Sequence, residues 1–251
     1  MSVTYRINQL VRLLTLRGRP KTSAVVLAAG SGSRMNSDTT KQLMELCGKP
    51  LFVHSLLAFQ KCKYIDEIVL VCRREERECV RETAKSYGID KLSRVVVGGK
   101  TRQLSALAGF EAISEKADFV AIHDAARACV TADIIADVVA MAHAYGAASA
   151  VGKVTDTVKT FDSDGFISST VDRETVVGAQ TPQVFSVSMY RAGAYTALKN
   201  KIEVTDDNML VERLGFRVKA VDCGADNFKV TTIHDIERAE AVLSAKGNKN
   251  G

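Results

Sequence analysis

Residues 24–41 combine a short apolar strand pattern, a turn of glycine and serine, and two cations at close range. The segment begins A-V-V-L-A-A-G-S-G-S-R-M, Arg34 and Lys41 supply the cations, and no acidic side chain stands before Asp38. Successive backbone N–H groups in such a turn can form an anion-binding concavity, and Arg and Lys add charge that suits phosphates. The segment therefore predicts a site for a polyphosphate such as that of a nucleoside triphosphate.

Two well-known phosphate loops do not fit this segment. The dinucleotide-binding fingerprint requires a third glycine, where Met35 stands, and an acidic residue after the next strand, which is missing. The P-loop pattern G-x-x-x-x-G-K-S/T is absent as well, because Gly48-Lys49 is followed by proline. What remains is a turn of backbone amides with Arg34 and Lys41 as mobile cations. A plain strand-to-helix loop with surface cations is the alternative.

The segment H-D-A-A-R, residues 123–127, follows another apolar strand pattern. An acid at that position can hold magnesium or a ribose hydroxyl, and Arg127 can contact a phosphate. The alternative is a solvated strand end with a local ion pair.

The segment G-G-K-T-R, residues 98–102, has glycines that allow close approach of a flat base, and Ser105 follows one turn into a predicted helix. A simple turn is the alternative there.

The segment D-N-F-K-V-T, residues 226–231, places Lys229 in a short β-like run beside Asp226. That arrangement suits an anionic group next to a metal, and an edge strand is the alternative. T-V-D-R at residues 170–173 and Q-T-P-Q at residues 180–183 are further polar clusters.

These candidate clusters are rich in Arg and Lys and poor in histidine, and of the four histidines in the chain only His123 lies in one of them. A hydroxyl nucleophile would need a general base. A phosphate nucleophile is already an anion, so it needs positioning and cations that reduce the repulsion between two phosphates. The composition therefore favours a reaction in which one phosphate attacks another.

Strand-like apolar runs alternate with helical patterns, which predicts an α/β fold with a mostly parallel sheet and helices on both faces. Ligands of such sheets bind at the carboxyl ends of the strands. Residues 156–175 depart from this alternation, and Asp164-Gly165 between alternating runs predicts a hairpin that either reaches a partner subunit or lies on its own sheet. The predicted strands are Ser23–Ala28, Glu67–Cys72, Arg94–Val97, Phe119–His123, Ala147–Val151, one near Val184, and Arg217–Val221; the predicted helices are Leu51–Gln60, Arg74–Tyr87, Gln103–Ser114, Thr131–Tyr145, Ser186–Leu198, Asp206–Leu214 and Ile233–Ser244.

Length and composition indicate one globular domain at residues 23–245, with a basic extension at 1–22 and a flexible tail at 246–251. Five basic residues and no acid precede Ser23 and account for the whole net charge of +5, so the body does not have the charge of a nucleic-acid binder.

The six cysteines form no C-x-x-C pair and are expected to be mostly buried, reduced thiols. Together with the absence of a signal-peptide pattern or a bilayer-spanning apolar run, this predicts a cytoplasmic protein with no membrane partner. An organellar transit peptide is the alternative for the extension.

From Ser23 to about Leu243 the chain resembles the 2-C-methyl-D-erythritol 4-phosphate cytidylyltransferases of isoprenoid biosynthesis. The residues that carry the resemblance are A-A-G-S-G-S-R-M, T-K-Q, G-G-K-T-R, H-D-A-A-R, D-T-V-K, T-V-D-R, Q-T-P-Q and A-D-N-F-K-V-T. It implies a Rossmann-like sheet of the nucleotide-diphospho-sugar transferase type and a homodimer formed through a protruding hairpin arm at about residues 153–176. The implied reaction transfers CMP from CTP to the phosphate of methylerythritol phosphate and releases pyrophosphate, with Mg²⁺ or another divalent cation.

The resemblance also implies roles for individual residues. Arg34 and Lys41 would stabilise charge at the α-phosphate, while Lys229 and Arg173 would position the acceptor phosphate, with Arg173 and Thr157 coming from the other subunit. Lys100 stands where some members have an acid that reads the cytosine amino group. The implied substrate contacts are Ala28, Ala29, Gly30, Gly99, Ser105, Asp124, Ala125, Arg127, Thr157 and Thr181, and the implied metal contacts are Asp124 and Asp226.

Three other interpretations remain open from the sequence. A ribitol 5-phosphate cytidylyltransferase would share the fold and the chemistry, although T-V-D-R and A-D-N-F-K-V-T favour methylerythritol phosphate. A non-catalytic, nucleotide-binding regulatory homologue would not need Arg34, Lys41, Arg173 and Lys229 together. A nucleic-acid-binding protein would depend on the basic extension and would bind in a strongly salt-dependent manner.

Overall fold

The computed structural model describes residues 19–30 and 41–247. Arg34 and most of the predicted polyphosphate turn lie outside the described residues, and so does the side chain of Lys41. Most of the basic extension, residues 1–18, and the end of the tail, residues 248–251, lie outside them as well. The domain boundaries stay a prediction.

The described residues form eleven strands and seven α-helices. The strands are β1 Thr22–Leu27, β2 Glu45–Leu46, β3 Lys49–Pro50, β4 Glu67–Cys72, β5 Leu92–Val97, β6 Phe119–Asp124, β7 Ala147–Lys153, β8 Lys159–Phe161, β9 Ile167–Thr170, β10 Val177–Ser186 and β11 Lys219–Asp222. The helices are α1 Leu51–Lys61, α2 Arg77–Ser86, α3 Arg102–Phe110, α4 Ala132–Tyr145, α5 Val187–Lys199, α6 Asn208–Glu212 and α7 Ile233–Gly247.

Seven strands form the central sheet in the order β11-β7-β10-β6-β1-β4-β5. Neighbouring strands are parallel except around β10, which runs antiparallel to both β6 and β7. The mostly parallel α/β sheet predicted from the sequence is therefore confirmed. Because β1, β4, β5 and β6 are parallel, their carboxyl ends meet at one edge, and the segments that follow them lie side by side.

The sheet is covered on both faces, which explains why its central strands are almost continuously apolar. Alternate residues of β1 divide between the faces: Ala24 and Val26 belong to the core under α1, α2 and α4, and Val25 belongs to the core under α3, α5 and α6. Helix α3 packs very closely on the sheet, since a Cβ added at Gly109 would lie 2.3 Å from Val25 Cγ1. This close packing fixes the start of α3 at the edge where the strands end.

The predicted hairpin at Asp164-Gly165 is confirmed by β8 and β9, which among the described strands pair only with each other. In the turn, Asp162 Oδ1 accepts hydrogen bonds from the backbone N–H groups of Asp164 at 3.1 Å and Phe166 at 2.9 Å. Gly165 has a φ of +87°, a conformation that favours glycine. Phe166 and Ile167 are 72% and 69% exposed, so the hairpin presents an apolar surface without packing on its own sheet.

Some predicted boundaries were wrong for identifiable reasons. Helix α3 ends at Phe110 rather than Ser114, because the Ser114 backbone N–H donates to Glu67 Oε2 at 2.8 Å instead of continuing the helix. Helix α6 begins at Asn208 rather than Asp206, because Asp206 lies before the helix and its Oδ1 accepts from the Met209 N–H at 3.2 Å. The predicted β-like run at residues 226–231 is an irregular loop.

None of the six cysteines, all of which lie in the described part of the chain, forms a disulfide. Cys62, Cys72 and Cys129 are buried as expected, whereas Cys47 and Cys79 are exposed. Among the described helices, none combines the length and apolar character that crossing a membrane requires.

Candidate active site

A cavity of about 360 Å³ lies at the carboxyl ends of β1, β5 and β6. Parallel sheets present their ligand sites at this edge, where loops rather than helices cover the strand ends. Six residues predicted to contact substrate or to act in catalysis are brought together there, and six further residues complete the wall. The lining residues are Leu27, Ala29, Gly30, Gln42, Gly99, Lys100, Thr101, Arg102, Ser105, Asp124, Ala126 and Lys229.

Asp124, the last residue of β6, lies between two cations. Arg102 Nε donates to its Oδ1 at 3.0 Å and Lys229 Nζ donates to its Oδ2 at 2.7 Å. Burial alone would raise the pKa of Asp124, but the charges of Arg102 and Lys229 outweigh that effect and hold the pKa well below its usual range. The carboxylate is therefore anionic and a weak base at neutral pH.

A second carboxylate, Asp207, lies behind Arg102 and is fully buried. Arg102 Nη1 donates to Asp207 Oδ2 at 2.7 Å, and the Tyr190 hydroxyl donates to Asp207 Oδ1 at 2.9 Å. Burial raises the pKa of Asp207, and the guanidinium of Arg102 opposes that rise. One guanidinium thus bridges a buried carboxylate and the carboxylate that faces the cavity.

His123 precedes Asp124 but does not line the cavity. It is fully buried, its ring lies 5.0 Å from that of Phe59, and its Nδ1 is 3.0 Å from Thr181 Oγ1. Burial lowers the pKa of His123 to about 3, so the ring is neutral at physiological pH. The Thr181 hydroxyl also accepts from the Asp124 backbone N–H at 3.0 Å, which ties β10 to the end of β6.

The loop that carries Lys229 is fixed by Asn227. The Asn227 side chain is fully buried, and its Nδ2 donates to Gln180 Oε1 and to the Thr181 carbonyl, both at 2.9 Å. Arg127 Nη1 donates to the Asn227 carbonyl at 2.9 Å. The segment after β6 and the loop that carries Lys229 are thus hydrogen-bonded to each other, and Lys229 lines the cavity. Arg127 is directed at backbone carbonyls rather than into the cavity.

The turn after β5 is built around Ser105. Its hydroxyl donates to the Thr101 carbonyl at 2.9 Å and accepts from the Gly99 N–H at 3.1 Å. A Cβ added at Gly98 would lie 2.7 Å from Ala29 Cβ, and one added at Gly99 would lie 2.4 Å from Leu104 Cβ. The glycines are therefore required by the packing of the turn itself, which also leaves this wall of the cavity without side chains at those positions.

Several predicted site residues lie elsewhere. The backbone N–H groups of Ala28 and Ala125 donate to the carbonyls of Val71 at 2.7 Å and Leu27 at 3.0 Å, so both residues belong to the sheet edge beneath the cavity. Thr157 and Arg173 are exposed near the hairpin and do not line the cavity of their own chain. Arg34 lies outside the described residues.

The described residues contain no group of three or more His, Cys, Asp or Glu side chains that could hold a metal ion. Both oxygens of Asp124 are hydrogen-bonded to cations, and Asp226 is exposed. Magnesium in nucleotide sites is bound by one or two carboxylates together with substrate phosphates. The donor set fits an ion that phosphates hold and one carboxylate assists.

Arg102, Asp207 and Gln42 were not predicted from the sequence as site residues. Arg102 and Asp207 are 105 positions apart; Arg102 is the first residue of α3 and Asp207 directly precedes α6, and both are positions where a solvated charge is ordinary. The only available signal was that G-G-K-T-R follows the predicted strand Arg94–Val97 and that Asp206-Asp207 begin a predicted helix.

Comparison with known proteins gives one consistent result. Residues 22–245 match the family profile described as 2-C-methyl-D-erythritol 4-phosphate cytidylyltransferase. A relative of that name from Clostridium novyi (strain NT) is 41% identical over 224 residues, which cover 89% of this chain and 96% of the relative. Another from Lachnospira eligens is 43% identical over 225 residues, covering 88% and 98%.

Solved structures agree with this result. The 4-diphosphocytidyl-2C-methyl-D-erythritol synthase of Anaerococcus prevotii superposes with a TM-score of 0.82 at 30% identity, over 92% of this chain and 99% of that one. The 2-C-methyl-D-erythritol 4-phosphate cytidylyltransferase of Thermus thermophilus gives a TM-score of 0.72 at 29% identity, over 88% and 98%. The match spans the sheet, the cavity edge and the hairpin alike, and the chain belongs to the 2-C-methyl-D-erythritol 4-phosphate cytidylyltransferase family.

Proposed function

We propose that this protein transfers CMP from CTP to the phosphate of 2-C-methyl-D-erythritol 4-phosphate. The products are 4-diphosphocytidyl-2-C-methyl-D-erythritol and pyrophosphate. In this reaction a phosphate oxygen of the acceptor forms a bond to the α-phosphorus of CTP, and the bond from that phosphorus to the bridging oxygen of pyrophosphate breaks.

The observation that carries the proposal is a cationic cavity whose described lining contains no competent general base. His123 is buried outside the cavity with a pKa of about 3, and Asp124 is an anion whose pKa is held below its usual range. A hydroxyl acceptor would need a group that takes its proton near neutral pH. A phosphate acceptor needs only charge compensation and positioning, which Lys229 and Arg102 can supply.

The roles of individual residues follow from this chemistry. Lys229 positions the acceptor phosphate and reduces its repulsion with CTP. Arg34 and Lys41, in and next to the glycine–serine turn, stabilise the charge at the α-phosphate. Gly99 and Ser105 border the part of the cavity that receives the cytosine ring, and Asp124 contacts the ribose or a metal ion.

Magnesium is proposed to enter with the phosphates of CTP. When bound, it neutralises part of the triphosphate charge, and Asp124 is the carboxylate in the cavity that can assist it. The protein itself keeps Asp124 anionic through Arg102 and Lys229.

The hairpin is proposed to serve as a dimerisation arm, because its exposed Phe166 and Ile167 have no partner surface within their own sheet. In a homodimer, Thr157 and Arg173 of one subunit would complete the acceptor site of the other. We place the enzyme in the cytoplasm.

The test is pyrophosphate release from each of the four nucleoside triphosphates, with methylerythritol phosphate and ribitol 5-phosphate as acceptors. The proposal predicts rapid pyrophosphate release only when CTP is combined with methylerythritol phosphate. Preference for ribitol 5-phosphate would transfer the assignment to that substrate, and no release with either acceptor would refute cytidylyl transfer.

A further inference from the structure

Gln42 has a hydrogen-bonding atom that the protein leaves unused. The residue lies in the 3₁₀ turn Lys41–Leu43 and is 4% exposed, and it lines the same cavity as Asp124 and Lys229. Its Oε1 is buried and has no hydrogen-bond partner among the described residues. A buried amide oxygen without a donor destabilises a fold, so its retention beside a substrate cavity calls for a ligand.

The chemistry of that atom limits what it can bind. An amide oxygen only accepts hydrogen bonds, and ionised phosphate oxygens also only accept them. No described protein donor hydrogen-bonds to Gln42 Oε1. The group that pairs with Gln42 Oε1 must carry a donor, and the substrates offer hydroxyl groups and the cytosine amino group. Gln42 directly follows Lys41, which the proposed function assigns to the α-phosphate, and the substrate donors next to phosphates are hydroxyl groups.

We propose that Gln42 is a substrate-binding residue whose side-chain oxygen accepts a hydrogen bond from a substrate hydroxyl. Both the ribose of CTP and the polyol phosphate offer such hydroxyls, and the inference rests on the proposed function. The terminal amide torsion of glutamine is soft, so the amide can rotate to present Oε1 to a donor on a bound substrate.

Gln103 provides a matched control in the same protein. It is half-buried on α3, and both ends of its amide are satisfied: Nε2 donates to the Ile202 carbonyl at 3.1 Å, and Oε1 accepts from the Val204 N–H at 3.2 Å. It does not line the cavity. Gln103 therefore shows what a purely structural glutamine looks like here.

The first measurement compares urea unfolding of Gln42→Met and Gln103→Met. Gln42→Met removes an unpaired acceptor and keeps the side-chain length, so its midpoint should equal or exceed that of the wild type. Gln103→Met breaks two hydrogen bonds and should lower the midpoint. A loss in Gln42→Met as large as that in Gln103→Met would assign Gln42 a structural role and overturn the proposal.

The second measurement is kcat/KM for CTP, 2′-deoxy-CTP and 3′-deoxy-CTP, and KM for the polyol phosphate. If the hydroxyl belongs to the ribose, Gln42→Met lowers kcat/KM for CTP roughly two- to tenfold, the worth of one neutral hydrogen bond, and one deoxy analogue shows no such loss. If it belongs to the polyol, KM for the acceptor rises by a similar factor and the deoxy ratios stay constant. Gln42→Glu keeps an acceptor and should preserve discrimination against the deoxy analogue.

Two negative results have different meanings. An active wild type and a Gln42→Met variant whose four kinetic constants all stay within twofold of it would overturn this inference and leave the proposed function intact. A wild type that releases no pyrophosphate from CTP with either acceptor would refute the proposed function and this inference with it.

Discussion

Removing the guanidinium of Arg102 should cost more than any exposed charge substitution in this protein. Arg102 donates to Asp124 at 3.0 Å and to Asp207 at 2.7 Å, and the side chains of these two acids are only 9% and 1% exposed. In Arg102→Met, Asp207 keeps one side-chain donor, Tyr190, and Asp124 keeps Lys229. Loss of one partner from a buried ion pair typically costs about 3–5 kcal/mol, and we expect a loss in that range.

The loss in free energy of unfolding caused by Arg102→Met should be larger at high pH than at low pH. Burial already raises the pKa of Asp207, and without Arg102 it rises further, so the folded variant binds more protons than the unfolded chain and its free energy of unfolding falls as pH rises. Asp124 has a lowered pKa in the wild type, which stabilises the fold at neutral pH and is lost as pH falls. The Asp124 contribution is lost only below a pH of about 4, so between pH 5 and pH 8 the Asp207 effect decides, and it makes the variant's deficit larger at pH 8 than at pH 5.

The assay is urea denaturation of wild type and Arg102→Met at both pH values. Arg81→Met is the control, because Arg81 pairs with Glu78 on the surface of α2, and exposed pairs are worth about 0–1 kcal/mol. A deficit below about 1 kcal/mol for Arg102→Met, or one that does not shrink towards pH 5, would refute the account of this buried network.

Four other substitutions test separate parts of the account. Lys229→Ala should lower kcat by about 100-fold or more in the pyrophosphate assay, because Lys229 acts on phosphate charge. It should lower the unfolding midpoint less than Arg102→Met does, because Lys229 is partly exposed and Asp124 keeps Arg102; an active variant would contradict its role. Lys100→Asp should raise the CTP-over-UTP preference roughly tenfold, since a carboxylate accepts from the cytosine amino group and an ammonium cannot; an unchanged ratio would separate Lys100 from base recognition. Gly109→Ala should destabilise by about 1–3 kcal/mol in urea through its clash with the sheet, whereas Gly178→Ala, with no neighbour closer than 3.7 Å, should not. Ile167→Asp on the hairpin should convert a dimer to a monomer in analytical ultracentrifugation, and a dimer that persists would exclude the arm.

The fold could be predicted largely because its strands carry strong local signals. Runs such as that of β4, with five of its six residues buried, and the Asp164-Gly165 turn leave little ambiguity about element type. The direction of β10 could not be predicted, because an apolar strand near Val184 looks the same parallel or antiparallel. The reversal follows from the hairpin that precedes it, which returns the chain to the sheet edge from which it left.

Apart from Lys229, which lies on an irregular loop, the site was predictable only where motifs follow strands at the same edge. Asp124 and Gly99 directly follow or end strands, so their proximity follows from the parallel sheet. The bridge from Arg102 to Asp207 joins positions 105 residues apart, and no local pattern encodes it. Gln42 could not be predicted from a local pattern either. It stands out because its buried Oε1 has no hydrogen-bond partner among the described residues, and a sequence does not show this.

The central claim is that the acceptor attacks through its phosphate, so that the cavity needs no general base. The most direct test is the ³¹P NMR spectrum of the product made from CTP and methylerythritol phosphate. We predict two mutually coupled diphosphate resonances and no remaining monoester in the product. A phosphodiester signal beside an intact phosphomonoester would show attack by a hydroxyl and would contradict the account.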